Sequence, residues 1–135
     1  ELASPKGTVS VDGRVCYCPH EAWTIPDTIL ENILFGTCLS FSEYESVLHT
    51  YVLHPDLQAL PDGDQTVLGT DGPDLTMCQR HRIALARVAY ADGDVYLLDD
   101  PLSGMDQAVQ RHIFERGIQG QLKGKTRILV TPDPQ

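Results

Sequence analysis

The chain has 135 residues, 41% of them hydrophobic, with a formal net charge of −9 and a pI near 4.7. That length suits one domain able to bury about 65% of its unfolded surface. The acidity argues against an electrostatic grip on nucleic acid or anionic lipid, and no apolar run approaches the ~20 residues of a membrane span. The opening ELASPKG carries no charged-then-apolar leader and no initiator methionine, so a fragment of a longer protein is expected.

In chain order, GTVSVDGRVCYC alternates apolar residues about the turn dipeptide Asp12-Gly13 and predicts a hairpin, which Pro19 ends. PDTILENILFG predicts a short helix capped by Asp27, with Ile29, Leu30, Ile33 and Leu34 on its apolar face and Gly36 as its stop. A second helix is predicted from Ser42, where Ser42 and Glu45 match a capping box ahead of Val47, Leu48, Tyr51 and Val52. LPDGDQTVLGTDGPD reads as a loop with a brief extended piece at Thr66 to Leu68. A helix rich in small residues is predicted from Thr76 to about Ala91.

DVYLLDD follows as a strand expected to be buried on both faces of a parallel sheet. A helix from Asp106 to about Ile118 and a buried strand at TRILVT complete the pattern. Helices alternating with apolar strands over short links imply an α/β layer with a parallel sheet. No internal repeat or low-complexity segment interrupts it.

Cys16, Cys18, Cys38 and Cys78 are spaced irregularly, and disulfide-stapled domains carry denser cysteine. In VCYCPH, Cys16, Cys18 and His20 suggest half of a metal site on one side of a strand. The C-x-C spacing and the missing fourth ligand argue against zinc, so reduced structural cysteines are expected. His49, His54, His81 and His112 read as surface or capping side chains, and Trp23 as a packing anchor.

The chemical signal is the acidic pair Asp99-Asp100 at the end of an apolar strand. Ligands of parallel sheets collect at the carboxyl ends of the strands. An aspartate there suits Mg²⁺ that bridges nucleotide phosphates, and a second carboxylate can activate water. Strands also end in aspartate merely on meeting solvent, so the pair needs context.

That context is a resemblance. YCPHEAW, TILENILFG, VLGTDGPDLTMCQRHRIALARVAYADGDVYLLDDPLSGMD and KTRILVT occur in order. Together they resemble the nucleotide-binding domain of ABC transporters. More narrowly, they resemble the first such domain of the C subfamily, which holds the multidrug-resistance proteins and the cystic fibrosis conductance regulator. The likeness runs from about Gly7 to Thr131. It implies a partial P-loop-NTPase-like parallel sheet with a helical insertion over about 27–60, and signature, Walker B and D-loop segments within about 75–106.

The resemblance also implies roles. Asp99 stands at the Walker B aspartate that holds Mg²⁺, and Asp100 at the catalytic glutamate. Thr76 and Gln79 fall in the signature segment that meets the γ-phosphate bound on an opposite domain. Asp106 lies in the D-loop facing that partner domain, and His20 takes the place of the Q-loop glutamine.

Departures accompany these matches. The signature reads Leu75, Thr76, Met77, Cys78 and Gln79, so two side chains stand where glycines are expected and would project toward the phosphate space. Pro132 occupies the position of the switch histidine. No Walker A motif occurs, because GIQGQLKGKTR has Gln119 where the first glycine belongs and lies between a helix and a strand. A Walker A segment is expected upstream, and ATP and Mg²⁺ should bind only when it is supplied.

The implied partners are a second nucleotide-binding domain and transmembrane domains, which would hold the chain at the cytoplasmic face of a membrane. ATP hydrolysis by this chain alone is not expected. Two other readings are a non-hydrolysing structural or regulatory half-domain and a free-standing protein-interaction remnant.

Overall fold

The computed structural model describes residues 7–132. Its sheet has three parallel strands, β1 (Val15–Cys18), β2 (Val95–Asp99) and β3 (Thr126–Val130), in the order β1-β2-β3. Val15 stands opposite Val95, which stands opposite Thr126. The hairpin expected about Asp12-Gly13 does not form: residues 7–14 hold no strand, and β1 pairs with β2, 80 residues on. Arg14 explains the preference. Its carbonyl accepts from the Asp94 and Val95 N–H groups at 2.9 and 3.1 Å, and its own N–H donates to Asp94 Oδ2 at 2.7 Å. Gly13, at φ 100°, permits this approach, because a Cβ there would lie 2.6 Å from Asp94 Oδ2.

Among the described residues, only one face of the sheet is covered. Cys16, Cys18, Tyr96 and Leu98 point into the core, where they belong to one buried cluster with Ile83, Leu85 and Ala86 of the helix α4 (Met77–Tyr90). The opposite face carries Val15, Tyr17, Ile128 and Val130, all exposed, with Leu97 half-buried between them. β2 is therefore not buried on both faces, and β3, an edge with a single neighbour, is mostly exposed. Apolar runs of strand length mark a strand without saying which faces have neighbours.

Residues 29–65 hold four short helical elements. They comprise α1 (Ile29–Leu34), α2 (Phe41–Thr50), α3 (His54–Gln58) and a 3₁₀ turn at Gly63–Gln65. Thr28, not Asp27, caps α1: its Oγ1 accepts from Glu31 N–H at 3.0 Å, while Asp27 accepts from Thr28 N–H at 2.7 Å. The Ser42–Glu45 capping box is likewise absent, since α2 begins at Phe41 with Ser40 at its N-cap. The extended piece near Thr66 survives as a bridge between Thr28 and Val67.

Arg87 ties α4 to α1 from inside the core. Its guanidinium donates to Asn32 O at 2.6 Å, to Asn32 Oδ1 at 3.0 Å and to Trp23 O at 3.2 Å. It also lies 4.0 Å from the ring centre of Trp23, an exposed side chain that meets Phe35 edge-on. Beyond β2, α5 (Gln107–His112) runs into a π-helical segment, Ile113–Gln121, which leads to β3.

Candidate functional site

Parallel strands deliver their successors to one edge of the sheet. β1, β2 and β3 end at Cys18, Asp99 and Val130, and the residues that follow bring His20, Asp100 and Pro132 to that edge. His20 Nδ1 lies 3.6 Å from Asp100 Oδ2. Asp100 and Pro132 line one cleft of about 570 Å³, together with Ser103, Gly104 and Arg111.

Both members of the His20–Asp100 pair have anchored backbones. Asp100 donates its N–H to Val130 O at 2.8 Å and adopts φ 46°, the left-handed region that a non-glycine residue enters at some cost. His20 O accepts a 2.7 Å hydrogen bond from His81 Nε2. His81 is thus no surface residue: it is 1% exposed, and its Nδ1 is buried without a partner. Because the carbonyl can only accept, Nε2 carries the proton.

Asp99 is half-buried at the end of β2. Behind it, burial pushes the Cys18 thiol up to about 12, and the Asp99 charge adds to that while Arg87 opposes it. Cys18 therefore stays a neutral core thiol. All four cysteines are free, and Cys16 and Cys18 face the core while His20 is exposed. The half metal site suggested by VCYCPH does not assemble.

The other sequence-predicted residues sit at helix starts. Thr76 caps α4, accepting from Gln79 N–H at 3.2 Å, while Gln79 Oε1 accepts from Thr76 N–H at 2.9 Å. This is a capping box, and its T-x-x-Q spacing was readable in the sequence. Gln79 also donates to Asp56, which pairs with Arg82 at 2.8 Å. Asp106 caps α5, its Oδ1 accepting from Ala108 and Val109 N–H groups at 3.0 Å each.

The start of α4 reaches the cleft rim through its neighbours. The Cys78 thiol donates to Gly104 O at 2.8 Å, so it turns toward its own chain. Met77 is exposed. The structure therefore brings His20, Asp99 and Asp100 to one strand edge, with residues 77–78 beside Gly104 on its flank. Among the described residues no helix is long and apolar enough to cross a membrane.

No protein-family model matches the chain. Over 133 residues, 97% of its length, the chain is 47% identical to ATP-binding cassette sub-family C member 3 of Rattus norvegicus and 46% identical to that of Homo sapiens. It is 44% identical, over the same share, to ATP-binding cassette sub-family C member 2 of Mus musculus. The chain spans 9% of the length of each of these proteins.

Proposed function

The chain belongs to the C subfamily of ATP-binding cassette proteins as a partial domain, and from that premise we propose that it supplies the magnesium side of an ATP site that drives transport. The observation that carries this reading is the acidic pair Asp99-Asp100 at the carboxyl end of the central parallel strand, in a chain 47% identical to such a protein. Mg²⁺ commonly takes one or two carboxylates, waters and substrate phosphates, without a full protein cage. The donor set fits that mode: Asp99 is available at the strand end, and among the described residues no three His, Cys, Asp or Glu side chains form a metal cluster of their own. Bound Mg²⁺ would bridge nucleotide phosphates and offset their charge.

In this reading Asp99 would hold the cation and Asp100 would accept a proton from the attacking water. Asp100 is one methylene shorter than glutamate, and displacing a base by about 1 Å can cost ~10²-fold in rate. Pro132 has neither an N–H nor a polar side chain to offer a γ-phosphate. Thr76 and Met77 at the start of α4 would face nucleotide held by a second nucleotide-binding domain, where exposed Met77 would crowd the approach, while the Cys78 thiol is turned to Gly104 O. The phosphate cradle, the second domain and the transmembrane domains come from outside these 135 residues, and the complex would work at the cytoplasmic face of a membrane.

The departures at His20, Met77, Cys78 and Pro132 favour a slow or non-hydrolysing half over a fully active one. Single-turnover hydrolysis tests this in rat sub-family C member 3 carrying this chain in place of the segment it matches. Pro132→His with Asp100→Glu should speed hydrolysis at this half's own site by at least tenfold, since a lost transition-state donor costs ~10²–10³ in rate. Unchanged turnover would sink the reading that these two positions limit hydrolysis.

A further inference from the structure

We propose that Asp56, held by Arg82, is a positioning residue for the start of α4. Through Gln79 it sets where Thr76 and Met77 stand, and so governs nucleotide held by the second domain more than nucleotide at Asp99. This rests on the reading that the start of α4 faces that second domain. The Gln79 side chain is held from both ends. Its Oε1 accepts from Thr76 N–H at 2.9 Å and from Thr76 Oγ1 at 3.1 Å. Its Nε2 donates to Asp56 Oδ1 at 3.1 Å. The Thr76 N–H can only donate, and the Asp56 carboxylate, paired with Arg82, only accepts, so the amide has one orientation. Holding so flexible a side chain in place removes an ordering cost that the capping box alone would bear.

Asp56 is fixed in turn. Arg82 Nη2 lies 2.8 Å from Asp56 Oδ2 and 3.0 Å from Oδ1, and the side chains are 13% (Arg82) and 18% (Asp56) exposed. A pair so nearly buried is screened little by salt. Arg82 Nη1 also donates to Val52 O at 2.9 Å. Val52 adopts φ 55°, a left-handed conformation that a branched side chain resists. Arg82 therefore holds both the chain just past α2 and the first turn of α3, where Asp56 lies. Gln79, three residues before Arg82 on the same face of α4, carries that anchorage to the helix start. Neither Asp56 nor Arg82 lines the cleft at Asp100, so their influence on hydrolysis runs through α4.

The first arm of the test needs no nucleotide and uses the 135-residue chain. Amide hydrogen exchange followed by NMR reads the Thr76 and Gln79 N–H groups, both bonded within the capping box. Gln79→Glu keeps a capping residue there and leaves the Asp56–Arg82 pair intact, but sets one carboxylate against another. Exchange at both amides should quicken at least tenfold relative to the middle of α4. Adding Asp56→Asn supplies a donor to the new carboxylate and should recover most of that loss. A merely local capping role predicts no change in Gln79→Glu and nothing to recover. The second arm is single-turnover hydrolysis in rat sub-family C member 3 carrying this chain. Gln79→Glu should slow the second domain's site at least threefold more than the site at Asp99, and Asp56→Asn should again restore it. Unaltered exchange in Gln79→Glu, or no recovery in the double variant, would overturn the proposal. Quickened exchange with unaltered hydrolysis would overturn it too where Met77→Gly does change the second domain's site. If Met77→Gly also has no effect there, the nucleotide-facing reading of α4 falls, and the proposal with it.

Discussion

At the scale of single residues, Arg87 shows how a side chain can be read correctly as helical and still hide its task. It lies within the predicted helix, yet its partners Asn32 and Trp23 are 55 and 64 residues away. Burial lowers its pKa to about 10, which still leaves the guanidinium charged at neutral pH, with the Asn32 and Trp23 carbonyls as its hydrogen-bond acceptors. Removing it would leave the buried Asn32 O and the part-buried Trp23 O without this donor. Hydrogen bonds to charged groups contribute roughly 1.5–3 kcal/mol each, so Arg87→Leu should cost about 3 kcal/mol or more. Urea unfolding of the two proteins measures it, and a loss below about 1 kcal/mol would show that the network contributes little. His81 was hidden for the same reason, its partner His20 lying 61 residues earlier. Thr76 and Gln79 differ: their capping box spans three residues and is legible in the T-x-x-Q spacing alone.

At the scale of elements, period and length were reliable guides where an element is defined by its own residues. α4 and β2 fall where their apolar patterns put them. Pairing was not legible, because Asp12-Gly13 is a strong local turn signal while the true partner of β1 is a distant strand. The exposure of β3 was hidden too, since neighbours decide which faces of an apolar strand are covered. The π-helical segment gives this scale its test. Gly117 is buried against Tyr51, and a Cβ there would lie 3.0 Å from the ring and 3.1 Å from its hydroxyl. Tyr51 is itself fully buried and has little room to yield. Gly117→Ala should therefore destabilise by about 1–3 kcal/mol, although alanine is the better helix former by roughly 1 kcal/mol. Thermal denaturation decides the sign, and a stabilised variant would show that the π-helix and Tyr51 move apart freely.

At the scale of the whole molecule, the uncovered sheet face governs behaviour. Register aligns Tyr17, Leu97 and Ile128 across the three strands, so the exposed apolar side chains form one continuous surface. Such a surface on strands with a free edge invites association. The net charge of −9 opposes it, and salt screens that repulsion. Light scattering on the 135-residue chain should show self-association that grows as salt rises from 0.05 to about 0.5 M, where the screening length shrinks from roughly 14 to 4 Å. A monomer at all salt concentrations would mean that the face is less adhesive than its composition implies.

The central claim is that this chain provides the cation-holding side of an ATP site, with Asp99 as the residue that holds Mg²⁺. Photolabelling with 8-azido-ATP tests it most directly, again in rat sub-family C member 3 carrying this chain in the matched segment, with the other ATP site disabled. The account predicts Mg²⁺-dependent labelling that Asp99→Asn reduces at least tenfold, a loss of about 1.4 kcal/mol or more. Labelling of equal strength with asparagine at that position, or labelling indifferent to Mg²⁺, would contradict it.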